Sequence, residues 1–88
     1  MAALPSIAPS VLIRAARGSD GPALRRLAAL DSRPVPTGQL LIAEADDEVV
    51  AALSVDTGDK VSDPFRRTAD VIDLLAYRAQ RLRSSSAA

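Results

Sequence analysis

Apolar and polar positions follow a clear period along most of the chain, and that period changes from segment to segment. Val11-Leu12-Ile13-Arg14-Ala15 is a β-branched run that stops at the turn cluster Gly18-Ser19-Asp20-Gly21, which predicts a strand over 11–15. Leu24, Leu27, Ala28 and Leu30 then recur at spacings of three and four, with Arg25 and Arg26 on the opposite face. That spacing predicts an amphipathic helix from about Gly21 to Leu30. Asp20 is its expected N-cap, and Pro22 lies in the first turn, where a missing N–H costs nothing.

Asp31 to Gly38 carries Pro34, Pro36 and Gly38 and is expected to be a loop. Leu40–Ala45 and Glu48–Val55 are apolar runs joined by Asp46-Asp47, the pattern of an antiparallel hairpin. Thr57-Gly58-Asp59 is a second turn, and Lys60-Val61-Ser62 a short third member of the meander. Apolar residues run on without strict alternation, so these strands are expected to be covered on both faces. Asp63-Pro64-Phe65 leads out of the sheet, and Thr68 is the expected N-cap of a second helix, with Asp70 in the first turn. Val71, Ile72, Leu75, Ala79 and Leu82 form its apolar stripe, from about Ala69 to Arg83. Met1 to Ser10 is rich in Ala, Pro and Ser and is expected to be a loose arm, and Ser84 to Ala88 a frayed tail. The order strand, helix, strand, strand, short strand, helix predicts an α+β fold. One domain over 11–83 then holds an antiparallel meander covered by two helices.

Composition narrows the chemistry. The 88 residues are 48% hydrophobic and 25% charged, in the globular range and sufficient for one modest core. Without cysteine there is no disulfide, thiolate nucleophile or Cys-ligated zinc, and without histidine the commonest metal ligand and general base are missing. A formal net charge of zero argues against nucleic acid as a partner. The longest apolar runs, Leu40–Ala43 and Val49–Val55, fall far short of the roughly 20 residues of a membrane span. Met1 to Ser10 has no basic n-region and carries Pro5 and Pro9, so no secretory signal is expected and the expected compartment is the cytoplasm. A small core of Ala, Val and Leu with one Phe, one Tyr and no Trp favours burial against a second surface, either a homodimer or a protein partner.

Leu12-Ile13-Arg14-Ala15-Ala16, then Ser19-Asp20, then Leu24, Leu27 and Leu30-Asp31-Ser32, resemble the opening of the Gcn5-related N-acetyltransferases. The stretch Ile42-Ala43-Glu44-Ala45-Asp46-Asp47-Glu48-Val49-Val50-Ala51-Ala52 is similar to that family's next two strands with their acidic turn, and Val61 to Phe65 lies where its fourth strand begins. The resemblance covers Val11 to about Phe65 and implies the front half of an acetyltransferase fold. The family holds the pyrophosphate of acetyl-coenzyme A on a glycine-containing loop before the next helix, where backbone N–H groups converge. Here that junction reads Asp63-Pro64-Phe65-Arg66-Arg67-Thr68-Ala69-Asp70, without glycine and with an acid where phosphate would lie. The later strands that complete the family's cofactor cleft have no expected counterpart in these residues. No cofactor and no catalytic residue is therefore expected to transfer.

The remaining polar groups offer limited chemistry. Asp46, Asp47 and Glu48 have oxygen ligands for a hard cation, but Asp is also a preferred turn residue, and no metal site is expected. Asp56, Asp59 and Asp63 lack the spacing of a calcium loop. Ser54, Thr57 and Ser62 have no histidine to activate them. Glu44 is expected to meet solvent or a cross-strand arginine, and Tyr77 to pack. Three functional expectations follow. The leading one is a non-catalytic, acetyltransferase-like domain acting in self-association or protein–protein interaction, with Val71, Ile72, Leu75 and Leu82 as candidate interface residues. The second is an acetyl-coenzyme A-dependent fragment completed by a partner chain, with Arg66 and Arg67 on the phosphates and Glu44 as base. The third is an anionic-surface binder using Arg66, Arg67, Arg78, Arg81 and Arg83.

Overall fold

The computed structural model describes residues 11–86, so the expected arm over 1–10 lies outside the described residues. Four strands, β1 (Val11–Ala15), β2 (Leu40–Ala45), β3 (Glu48–Ser54) and β4 (Lys60–Ser62), form one antiparallel sheet in the order β1-β2-β3-β4. Helix α1 (Gly21–Leu30) follows a 3-10 turn at Gly18–Asp20, and helix α2 (Ala69–Ser86) follows β4. The α+β architecture expected from the sequence is the one observed. Two boundaries move: β3 ends at Ser54, and α2 continues through Ser84, Ser85 and Ser86 where a frayed tail was expected. Serine has a lower helix propensity than alanine but does not break a helix already running.

The helices lie on opposite faces of the sheet, because side chains of successive strand residues point to opposite sides. On one face Leu41, Ala43, Leu53 and Val55 pack with Val71, Leu75 and Ala79 of α2. On the other, Ile42, Ala52 and Val61 pack with Leu24, Leu27 and Ala28 of α1. At the centre Ala43, Ala51 and Ala52 are fully buried and leave room for a helix to approach on either side. A β-bulge interrupts the β2–β3 ladder. Ala43 pairs with Ala51 but Glu44 pairs with Val49, leaving Val50 as the extra residue. Val50 and Ala51 consequently both join the α2 side, while Val49 turns to the α1 side.

Local backbone chemistry sets the turns. Asp46 and Asp47 both have positive φ, 52° and 68°, the signature of the type I′ hairpin whose twist matches the strands it joins. Helix α1 closes with Ser32 at a φ of 54°. There the N–H of Arg33 donates to Ala28 O and that of Ser32 to Ala29 O, a Schellman closure with serine in the position glycine usually takes. Gly38, at a φ of 88°, has no alternative: a Cβ there would collide with the Asp56 carboxylate, which accepts the Gln39 N–H at 2.8 Å.

The α2 stripe gives a direct test of this packing. Leu75 is fully buried while its neighbour Leu74 is half exposed, so the two adjacent leucines report on opposite environments. Leu75→Ala is expected to cost about 2–5 kcal/mol in urea unfolding and Leu74→Ala less than about 1 kcal/mol. Similar losses for both would show that α2 does not sit on the sheet by this face.

Candidate functional site

The densest polar constellation lies where β1, the 3-10 turn and β2 meet. Arg14 and Glu44 project from the α1 face of the sheet, since Arg14 pairs in register with Ile42, a residue of the α1-side core, and Glu44 lies two residues further along β2. The Arg14 guanidinium donates both terminal nitrogens to the Asp20 carboxylate at 2.9 Å each, and its Nε to Glu44 Oε2 at 2.6 Å. Asp20 Oδ2 also accepts the N–H of Arg17 at 2.6 Å. A planar fork meeting a carboxylate in two parallel bonds is the strongest geometry available to an arginine.

The sequence placed Asp20 as the cap of α1, and this is corrected. Asp20 does precede α1, but its side chain makes no cap bond to that helix. It turns back to the 3-10 turn and to Arg14, because a buried carboxylate gains more from a bidentate guanidinium and a second N–H than from a single helix N–H. Those same bonds, the Arg14 fork first and the Arg17 N–H second, hold the Asp20 carboxyl down at about 2 despite its burial. Arg14 in turn is held further above its ordinary value by Asp20 and then Glu44. Glu44 meets the cross-strand arginine that the sequence allowed for.

The other expected site residues are dispersed. Arg66 donates to Glu48 at 2.8 Å, Arg83 donates to Val55 O at 2.9 Å, and Arg81 lies 5.9 Å from the Tyr77 ring centre and donates to its hydroxyl. Three of the five C-terminal arginines are thus engaged within the chain, and Arg67 and Arg78 are exposed. Tyr77 lies mostly in solvent beside Arg81, which corrects the expectation that it packs. Val71 and Leu75 are buried, and Ile72 and Leu82 half-buried, against the sheet, so this stripe is core within one chain. Asp46 and Asp47 form the hairpin turn, beside a shallow hollow of about 450 Å³ shared with Val11, Leu12 and Glu44. Among the described residues no three acidic side chains converge as a metal site would require.

At the β4–α2 junction, Asp63 is buried and occupies the turn itself. Its Oδ1 accepts the Phe65 N–H at 2.9 Å and its carbonyl accepts the Arg66 N–H at 3.2 Å. Three polar side chains act as posts between loops and strands, a role the sequence reading did not give them. Ser54, fully buried, donates to Thr37 O at 2.6 Å and accepts the Thr57 N–H at 3.1 Å. Asp56 caps Gln39, and Asp31 accepts the Ser62 N–H of β4 at 3.1 Å. Ser54 did carry a signal, as the one hydroxyl inside an otherwise apolar run. Asp31 carried none, since its partner is 31 residues away.

Compared with protein-family models, curated proteins and solved structures, the chain matches none.

Acid titration tests the Arg14–Asp20 fork. With its folded-state pKa depressed to about 2, Asp20 stabilises the fold above the ordinary carboxylate range, and this contribution is lost as pH falls from about 4 through about 2. Asp20→Asn is therefore expected to melt below the wild type at pH 7, with the gap closing as pH drops through that window. A gap that stays constant from pH 7 to pH 2 would show that the carboxylate charge contributes nothing.

Proposed function

We propose that this chain is a non-catalytic, acetyltransferase-like small domain whose work is association, with a second copy or with another protein, in the cytoplasm. The observation that carries the reading is the junction between β4 and α2. A phosphate-holding loop needs unclaimed backbone donors and a glycine to let the ligand approach. This junction has Pro64 in place of a donor, no glycine, and a buried Asp63 carboxylate already bonded to Phe65 N–H. An anion approaching it would meet Asp63 and would have to displace it.

The Arg14–Asp20–Glu44 constellation supports the same reading. Each of its groups is bonded to another, and a general base needs a free lone pair facing a substrate. Glu44, the base of the alternative enzyme reading, is committed to Arg14 Nε. What the fold leaves available is surface: Val11, Leu12, Phe65, Leu74 and Tyr77 are large apolar or aromatic residues open to solvent. Neutral overall charge favours a protein over a polyanion as the partner.

Calorimetric titration with acetyl-coenzyme A separates the association reading from the enzyme reading. No heat of binding is expected, with the protein alone or with any protein that copurifies. Saturable binding near one site per chain, lost in an Arg66→Ala, Arg67→Ala double variant, would replace this proposal with a cofactor-dependent one.

A further inference from the structure

The two edges of the sheet are not alike. In the β1–β2 ladder the N–H of Ala16 donates to Leu40 O at 2.9 Å, a bond between residues directly paired in the same register as Ala15 with Leu41. Antiparallel ladders alternate hydrogen-bonded and non-bonded pairs. Leu12 and Arg14 therefore turn their peptide groups toward β2, and Val11, Ile13 and Ala15 turn theirs away from it. Among the described residues no strand pairs with that outer side. At the other edge the same alternation, anchored by Asp63 N–H on Val50 O, points the peptide groups of Lys60 and Ser62 outward. There the Ser62 N–H is already taken by Asp31, the strand has three residues, and Pro64 follows directly. β4 is closed by the usual devices against edge pairing; on β1, among the described residues, only the outward Ala15 carbonyl is bonded, by Arg14 Nη1 at 3.2 Å, which leaves that oxygen a second lone pair.

Resting on the association reading above, we propose that the outer edge of β1 pairs antiparallel with the same edge of a second copy, about a twofold axis at Ile13. This register gives the longest overlap in which every outward group finds a partner. Ile13 faces the partner's Ile13, and Val11 faces the partner's Ala15, so three N–H groups of each chain meet three carbonyls of the other. On the α1 face Leu12, which is 55% exposed, comes to lie against the stem of the partner's Arg14. That arginine is no obstacle to pairing, because its charge is already met by Asp20 and Glu44. The ends are complementary in charge. Antiparallel pairing brings the Arg17 end of one β1 beside the Val11 end of the other, where Asp46 and Asp47 project from the hairpin. With one open edge among the described residues, the contact is isologous and closes at two copies instead of propagating into a filament. Five residues a side bury less than the roughly 1,200 Å² of a standard interface, so the dimer responds to concentration.

Sedimentation across about 5–500 µM, with amide hydrogen exchange at both ends of that range, tests the arrangement. A dimer mass is expected at the upper end, with exchange of the Val11, Ile13 and Ala15 amides slowed about tenfold or more while Leu12 and Arg14 change little. Ala15→Pro, which removes an outward N–H from an exposed residue and no bond to β2, is expected to stay monomeric with its melting temperature kept. A dimer whose Val11, Ile13 and Ala15 amides exchange as fast as in the monomer would overturn this interface and leave association to another surface. A monomer at every concentration would overturn self-association itself. Those three amides protected equally at all concentrations would mean that residues of the same chain cover the edge, which would also overturn the proposal.

Discussion

The Arg14 side chain holds the first third of the fold in place. Among the described residues β1 has one neighbouring strand, and the chain leaves it through a short 3-10 turn before α1 begins. One guanidinium ties that turn, through Asp20, and the next strand, through Glu44, to the strand that carries it. The entry of α1, and with it the angle at which Leu24 and Leu27 meet the sheet, is set by where Asp20 is held. Removing either carboxylate would leave a mostly buried cation short of a partner, a larger penalty than the pair itself contributes.

The same economy of polar groups recurs elsewhere in the molecule. Asp31, Ser54, Asp56 and Asp63 each bond backbone groups that the meander leaves unpaired, and among the described residues no buried side-chain polar atom lacks a partner. These four side chains serve the architecture of the meander and its junctions. The association reading proposed above rests instead on the residues the fold leaves exposed, Val11, Leu12, Phe65, Leu74 and Tyr77.

Much of the fold was legible in the sequence, for identifiable reasons. Helix α1 has a helical apolar period, and the longer strands are apolar runs bounded by Gly, Pro or Asp turns, so local signals sufficed. What escaped was non-local or cooperative. The bulge at Val50 has no signature in a run where every residue is apolar, because either face would accept either side chain. The Schellman closure uses Ser32 where a glycine would have announced it. For the candidate site, Glu44 with a cross-strand arginine was readable from strand pairing, but the turn of Asp20 away from its own helix was not. Its partner was in view only six residues earlier in the chain, yet which donor wins depends on burial that sequence spacing does not report.

The alanines at the centre of the sheet also limit how the chain can change. Ala43, Ala51 and Ala52 are sealed between helices on both sides, with no relative exposure at any of the three. An added methyl group there pushes a helix off the sheet or forces a side chain out of its rotamer, at about 1–3 kcal/mol. A domain of this size has on the order of 4–13 kcal/mol of stability in all. Drift at these positions is therefore confined. Alanine to valine, the mildest enlargement toward a better strand former, consumes a sizeable part of the margin each time, and two such steps on opposite faces would leave little. Any descendant with larger residues at the centre would have to shorten side chains on α1 or α2 in the same step, so the three alanines and the facing helix positions are expected to change together or not at all.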